Sequence, residues 1–231
     1  MSNARISVII PTRDRGSLLD EAIASVLAQT IPVWEIIVVD DGSTDGTANL
    51  FREPRSPVRY LRQAPAGPAA ARNRGLEVAR GEFIGFLDDD DLWPAEKTGQ
   101  QLPLLLADPD VAMVLGHTQR MVLRPTARGE RAFKPYRKPV RLFSLGCGLY
   151  RRSLFDTVGR FNEQMRFAED DDWFMRCKER GVKTVFLPEL GQYYRFHDGN
   201  MTHDRQAKQQ FLLHLVKNRL DRAKVGPGGT E

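Results

Sequence analysis

Residues 35–47 read EIIVVDDGSTDGT, a near-continuous apolar run over Glu35–Val39 that stops on Asp40-Asp41-Gly42-Ser43. A short run without polar alternation is the pattern of a strand buried on both faces, and the acid–glycine cluster after it is a loop. The same pattern recurs on either side. Upstream, Arg5–Ile10 is apolar until Pro11 and the polar turn Thr12–Gly16; downstream, Glu82–Leu87 runs into Asp88-Asp89-Asp90-Asp91. Between these runs Ser17 opens a helix with Asp20 as its capping-box partner, and Leu18, Leu19, Ala22, Ile23, Val26 and Leu27 form one stripe at helical spacing. Thr44–Phe51 reads as a short helix, Val58–Leu61 as a strand and Ala69–Ala79 as a helix. Alternating strands and helices of this kind predict an α/β fold with an open, mostly parallel sheet flanked by helices. Ligands of such sheets bind beyond the carboxyl ends of the strands, so the acids at 40–41 and 88–91 are expected to share one crevice.

The second half is less regular. Ala95–Leu106 reads as a helix that Pro103 kinks or ends, Val111–Leu115 as a strand, and the Pro- and charge-rich Arg124–Pro139 as a long loop. Leu145–Tyr150 and Lys183–Leu187 read as strands and Asp170–Arg180 as a helix. Gln206–Lys224 reads as a terminal helix with Leu212, Leu215, Val216 and Leu220 on one side, followed by a tail at 226–231. With 231 residues, 41% of them hydrophobic and 28% charged, the chain suffices for one domain over 1–225. No apolar run nears the ~18–20 residues of a membrane span, and the run before Pro11 is too short for a signal peptide. Cys147 and Cys177 make no disulfide framework and are expected in the core, which fits a reducing, cytoplasmic location.

The net charge of +4 is modest, but its distribution is not even. Ten Arg and Lys residues lie between Arg120 and Arg152, with Glu130 the lone acid among them. That stretch is either a solvated loop or a surface for something anionic, such as phosphate groups or acidic lipid head groups. Nucleic acid is not expected as a partner, since no groove-reading helix, zinc-finger, RNA-recognition or basic-zipper signature is present.

Four successive aspartates at 88–91 repel one another unless they take up protons or a hard cation such as Mg²⁺ or Mn²⁺. A second acidic cluster follows at Glu169-Asp170-Asp171-Asp172. The start of an EF-hand loop is imitated at Asp41–Gly46, but its twelfth position is Arg52 where a bidentate Glu is required. A dinucleotide fingerprint, a Walker A loop, a GxSxG elbow and an HExxH helix are all absent. His117 and His214 lie among apolar residues and read as structural, whereas His197, in YRFHDGN, is a candidate metal or phosphate ligand.

In order and spacing these pieces resemble the family 2 inverting glycosyltransferases of GT-A fold. The resemblance runs from Ile6 to about His203 and rests on ISVIIPTRDR at 6–15, SVLAQT at 25–30, EIIVVDDGSTDGT at 35–47, GPAAARNRGLEVARGEFIGFLDDDDLW at 67–93, GLYRRSLFDTVGRFNE at 148–163, FAEDDDW at 167–173 and YRFHDGN at 194–200. It implies a nucleotide-sugar-binding half over 1–92 and an acceptor-binding half over 93–225. It further implies Mn²⁺ or Mg²⁺ as cofactor, a nucleotide-sugar donor (a UDP-sugar foremost) and an acceptor hydroxyl on a glycan, a lipid-linked carrier or a small molecule. Pro11 and Thr12 would lie beside the nucleotide base, Asp41 would bond it, and Arg72 would lie near base and phosphates. Asp88–Asp90 would be the DxD-type motif, with Asp89 near the ribose and Asp90 on the metal. Asp170 would be the general base with Glu169 the alternative, and His197 would lie near metal and diphosphate. In one place the sequence departs from the pattern. Where members often carry Tyr-Asn after Pro-Thr, with the ring stacked on the base, this chain has Arg13-Asp14, and a guanidinium plane can stack instead.

Inverting transfer needs two acid sites with different work, one holding metal against the leaving diphosphate and one removing the acceptor proton. The clusters at 88–91 and 169–172 supply both. A nucleotidyltransferase on a similar sheet, or a sugar-nucleotide-binding module without turnover, are the competing readings. The cationic stretch adds an expectation of an anionic acceptor, or of peripheral contact with the inner face of a membrane that carries it.

Overall fold

A computed structural model describes residues 4–126, 130–165 and 167–197. The chain runs β1 (Ile6–Thr12), α1 (Gly16–Leu27), β2 (Glu35–Asp40), a 3-10 turn at Thr47–Phe51, β3 (Val58–Arg62), α2 (Pro68–Val78) and β4 (Phe83–Phe86). It continues through α3 (Lys97–Ala107), β5 (Met113–Pro125), β6 (Arg131–Pro135), a 3-10 turn at Leu145–Cys147, β7 (Gly148–Arg151), α4 (Ser153–Val158), α5 (Glu169–Glu179) and β8 (Thr184–Phe196). All the strands join one sheet in the order β3-β2-β1-β4-β7-β5-β6, with β8 on the free edge of β5.

The first half is parallel, as its alternation predicts: β1 pairs β2 and β4, and β2 pairs β3. Every residue of β1, β2 and β4 is buried, which is why these strands carry almost unbroken apolar runs. Beyond β4 the sheet turns antiparallel through β7, β5 and β6, and only β8 returns to the parallel sense. Leu19, Ala22, Ile23 and Val26 of α1 are fully covered, and each of the larger side chains contributes roughly 1.5–3 kcal/mol by leaving water. Leu27, counted in that stripe from its spacing, is instead 43% exposed.

Several expectations are corrected. The capping box at Ser17 does not form: α1 begins at Gly16 with no side-chain cap, and Asp20 pairs with Arg55 at 2.5 Å. Pro103 neither ends nor breaks α3. The stretch expected as a loop at 124–139 contains the end of β5 and all of β6; a charged edge strand with prolines at its ends looks like loop in composition. Leu145–Tyr150 divides into a 3-10 turn and β7, and α4 is an addition. β5 and β8 extend far past their apolar starts because they pair along nearly their whole length, with shifts of register around His117. At that point β8 crosses so close that a Cβ on Gly116 would lie 2.7 Å from the Gly191 amide nitrogen. Cys147 and Cys177 are free and buried, as expected. The terminal helix expected at 206–224, with His214, and the tail at 226–231 lie outside the described residues.

Candidate active site

Two of the parallel strands, β2 and β4, run into acids, and neighbouring segments fix them. Asp40 closes the turn after β2 by accepting from the Ser43 N–H at 2.7 Å, and also accepts from the Tyr60 hydroxyl of β3. Asp41 holds the loop before α2: one oxygen takes the Gln63 amide and the Ala66 N–H, the other the Gly67 N–H, each at 2.8 Å. Pro11 and Thr12 are buried at the end of β1, and the Thr12 hydroxyl donates to Asp89 at 2.7 Å. Arg13 points outward beside Asp14, its side chain 56% exposed. Arg15 turns inward and donates to Asp89 at 3.1 Å and to Asp90 at 2.7 Å.

The aspartate run after β4 is thus surrounded, and its members differ in what they face. Asp88 is half-exposed, whereas Asp89, Asp90 and Asp91 are buried. One carboxylate oxygen each from Asp88, Asp90 and Asp91 lies within 4.8 Å of the others. Burial, then the charge of Asp90, pushes Asp89 up to about 6, against the pull of Arg15. Burial and Asp88 raise Asp90, and burial with Asp90 and Asp88 raises Asp91 further. From the far side β8 reaches in. Gln192 and the Arg195 N–H (2.9 Å) hold the two oxygens of Asp91, the Arg195 guanidinium meets the Asp90 carbonyl and Glu21, and His197 Nε2 lies 3.1 Å from Asp90 Oδ2. Crowded carboxylates, with Asp89, Asp90 and Asp91 raised by burial and neighbouring charge and an imidazole beside them, suit a hard divalent cation.

The second acidic cluster opens α5. Ala168 sits in the left-handed region at φ 53°, and Glu169–Asp172 fill the first turn, where the helix N-terminus favours negative charge. Asp172 pairs with Arg176 at 3.0 Å, and Arg176 donates in turn to the carbonyls of Val158 and Arg160. Asn73 of α2 fixes the preceding loop through the Phe161 carbonyl (2.9 Å), the Phe161 N–H (3.0 Å) and Glu163 (2.8 Å). Glu169 is buried, and Asp170 keeps part of its surface open. Burial, then the charges of Glu169 and Asp171, pushes Asp170 up to about 7. Arg72 joins the two clusters, with one nitrogen on Asp88 at 2.6 Å and another on Glu169. Burial alone would weaken its charge, but Asp88, Glu169 and Asp170 outweigh that and raise its pKa.

The structure therefore gathers Thr12, Asp88, Asp89, Asp90, His197, Arg72, Glu169 and Asp170 around the strand ends. Asp41 holds the 63–67 loop beside them, and Arg13 lies outward. Sequence reasoning missed the roles of Arg15, Gln192, Arg195 and Asn73, and took Asp91 only as a member of the acidic run. Arg15, Asn73, Asp91 and Arg195 lie inside segments that carry the family resemblance, but nothing local in the sequence marks Gln192 or ties it and Arg195 to Asp91, more than a hundred residues away.

Comparison with known proteins agrees with this geometry. The family model described as Glycosyl transferase family 2 matches residues 7–159. A putative teichuronic acid biosynthesis glycosyltransferase, TuaG of Bacillus subtilis, is 40% identical over 106 residues, 44% of this chain and 42% of that protein. An uncharacterized glycosyltransferase of Rickettsia typhi is 30% identical over 210 residues, 85% of this chain and 65% of that protein. The chain thus spans less than two thirds of either relative. Among solved structures, S. aureus TarS (residues 1–349) in complex with UDP-GlcNAc superposes with a TM-score of 0.71 at 22% identity, covering 87% of this chain and 61% of that one. The mannosyltransferase PcManGT of Pyrobaculum calidifontis, in complex with GDP-Man and Mn2+, gives 0.71 at 22% identity, covering 100% of this chain and 67% of that one. At that identity the likeness establishes the fold.

Proposed function

The chain belongs to glycosyl transferase family 2, and from that premise we propose that it transfers a sugar from a nucleoside-diphosphate sugar, a UDP-sugar foremost, to an acceptor hydroxyl with inversion. One observation carries the proposal: two acid clusters of different character, Asp88–Asp91 and Glu169–Asp170, meet at the carboxyl ends of parallel strands and are joined through Arg72. The solved relatives bound to UDP-GlcNAc and to GDP-Man support a donor of that class.

Asp88 and Asp90, with His197, would hold a divalent cation, Mn²⁺ or Mg²⁺, which when bound neutralises charge on the leaving diphosphate. Asp91 is already committed to Gln192 and Arg195 and serves as a strut. Pro11, Thr12, Arg13 and Asp41 border the nucleoside, and Asp89, oriented by Thr12 and Arg15, faces the ribose. Asp170 takes the acceptor hydroxyl proton while the new glycosidic bond forms and the sugar–phosphate bond breaks, its electron pair leaving on the diphosphate. A carboxyl near 7 is matched to that work at neutral pH, since it ionises there yet remains a competent base. Residues 1–92 form the donor half and 93–225 the acceptor half. Exposed cations on and beside β6 (Arg131, Lys134, Arg137, Lys138) favour an anionic acceptor or an anionic surface that presents it.

The test is a panel of nucleotide sugars, with and without Mn²⁺, scored by thermal stabilisation and by the nucleotide released. A true donor raises Tm by mass action, and transfer releases a nucleoside diphosphate. Release of pyrophosphate would instead indicate nucleotidyl transfer, and binding without any release would indicate a module that only holds sugar nucleotides.

A further inference from the structure

Arg72 sits where the two acid clusters come closest. Its side chain is 8% exposed, with Nη2 on Asp88 Oδ1 at 2.6 Å, Nη1 on Glu169, and a buried Nε that has no partner among the described residues. A guanidinium removed from water this completely is tolerated only when carboxylates compensate it, and here it shares one positive charge between two. The two partners have different fates. Asp88 belongs to the carboxylates suited to a cation, while Glu169 is the first residue of α5 and the immediate neighbour of Asp170. The α2 backbone leaves little slack: Ala69 and Ala71 are buried and Asn73 is bonded to the loop at 161–163. Among the described residues, Glu169 and Asp171 on its own helix, Arg72 from α2 and Tyr150 from β7 act electrostatically on the Asp170 carboxyl.

We propose that Arg72 is a positioning residue for the base, a shared counter-ion through which occupation of the Asp88 side by cation and nucleotide favours ionisation of Asp170. This rests on the glycosyl-transfer reading for its purpose but not for its test. With Asp88 neutralised by a cation, the guanidinium charge is no longer divided and acts on Glu169 and Asp170 alone. The base is then ionised chiefly when the donor is in place. By reciprocity, an ionised Asp170 strengthens binding on the Asp88 side through the same residue. The resemblance to family 2 puts Arg72 near base and phosphates, a different role that predicts a different phenotype.

The experiment is a carboxyl carbon-13 titration of Asp170, assigned with Asp170→Asn, in the full chain with and without Mg²⁺ and UDP. In the parent, Mg²⁺ and UDP should lower the Asp170 midpoint by roughly one pH unit, the lower end of what a nearby opposite charge produces. Arg72→Gln should raise the midpoint in the free protein and abolish the response to Mg²⁺ and UDP. Glu169→Gln should lower it, because a repelling charge is gone. Arg72→Lys, which keeps the charge and loses the fork, should retain the response in part. The opposite signs in the two neutral variants distinguish a shared charge from a packing role, which would move neither. If Arg72→Gln does not fold, Glu169→Gln and Arg72→Lys still give the comparison. The proposal is overturned if Mg²⁺ and UDP bind the parent, or fail to bind it at all, without moving Asp170. It is equally overturned if Arg72→Gln weakens UDP binding tenfold while leaving the titration unchanged. Absence of sugar transfer by the parent would count against the function proposed above and leave this titration standing.

Discussion

At the scale of single residues, the same acid does different work according to what surrounds it. Asp170 is held near 7 by burial and by its acidic neighbours, so in the free protein it ionises around neutral pH rather than near 4. The acid limb of kcat/KM should accordingly fall near pH 7. Asp170→Asn should lower kcat by ~10²–10⁴ and weaken donor binding by no more than about tenfold, the part that coupling through Arg72 would carry. Stability supplies an independent check with a definite sign. A carboxyl raised in the folded state costs stability as pH rises from about 4 to about 7, so Asp170→Asn should raise Tm above pH 7 and leave it unchanged below pH 4. Asp90→Asn puts a poor ligand for a hard cation beside His197 and should weaken Mn²⁺-dependent nucleotide binding, measured by calorimetry, at least tenfold. Asp88–Asp91 and Glu169–Asp172 were legible because clustered like charges are costly without a purpose. Their distribution of labour was not. Only the fold shows that Asp91 is spent on β8 and that Arg72 spans Asp88 and Glu169, contacts 16 and 97 residues apart.

Among elements, α2 bears on both halves of the site. Its inner face meets β1 so closely that a Cβ on Gly75 would collide with the Ile9 side chain. Gly75→Ala should therefore cost ~1–3 kcal/mol in urea unfolding despite its better helix propensity, because overpacking outweighs the ~1 kcal/mol gained. Asn73→Ala leaves the Phe161 N–H and carbonyl without their partner and should cost a further ~1–3 kcal/mol, with kcat reduced because the loop into α5 loses its anchor. The elements of the first half were legible almost residue by residue, since parallel strands buried on both faces write themselves as unbroken apolar runs. β6 and the far ends of β5 and β8 were not. β6 and the end of β5 are half-exposed or exposed and carry charge, the end of β8 buries polar Gln192 and Arg195, and what makes all three strands is pairing with other strand segments rather than any local preference.

For the whole molecule, charge and connectivity decide what can approach and when the site exists. Of the ten cations between 120 and 152, several have structural work: Arg151 donates to the carbonyls of Val111 and Asp108, Arg152 to that of Ala79, and Arg141 lies 3.4 Å over the Phe186 ring. Arg131, Lys134, Arg137 and Lys138 remain on the exposed rim. Neutralising those four together should reduce use of an anionic acceptor, or binding to acidic liposomes, with up to ~1 kcal/mol lost for each charge near such a surface. The deficit should shrink at high salt, where the Debye length falls to ~3 Å at 1 M. Nucleotide binding should be unchanged.

The hold of β8 on Asp91 has a bearing on synthesis. The aspartates at 88–91 leave the ribosome long before Gln192 and Arg195, their fasteners, which are separated from them by more than a hundred residues. Contacts of such long sequence separation form late, because the chain entropy lost in closing them is large. A nascent chain thus carries Asp91 unbraced until β8 has been made, while Asp89 and Asp90 can already meet Thr12 and Arg15. The carboxylates proposed to hold a cation are fully braced only once β8 has docked.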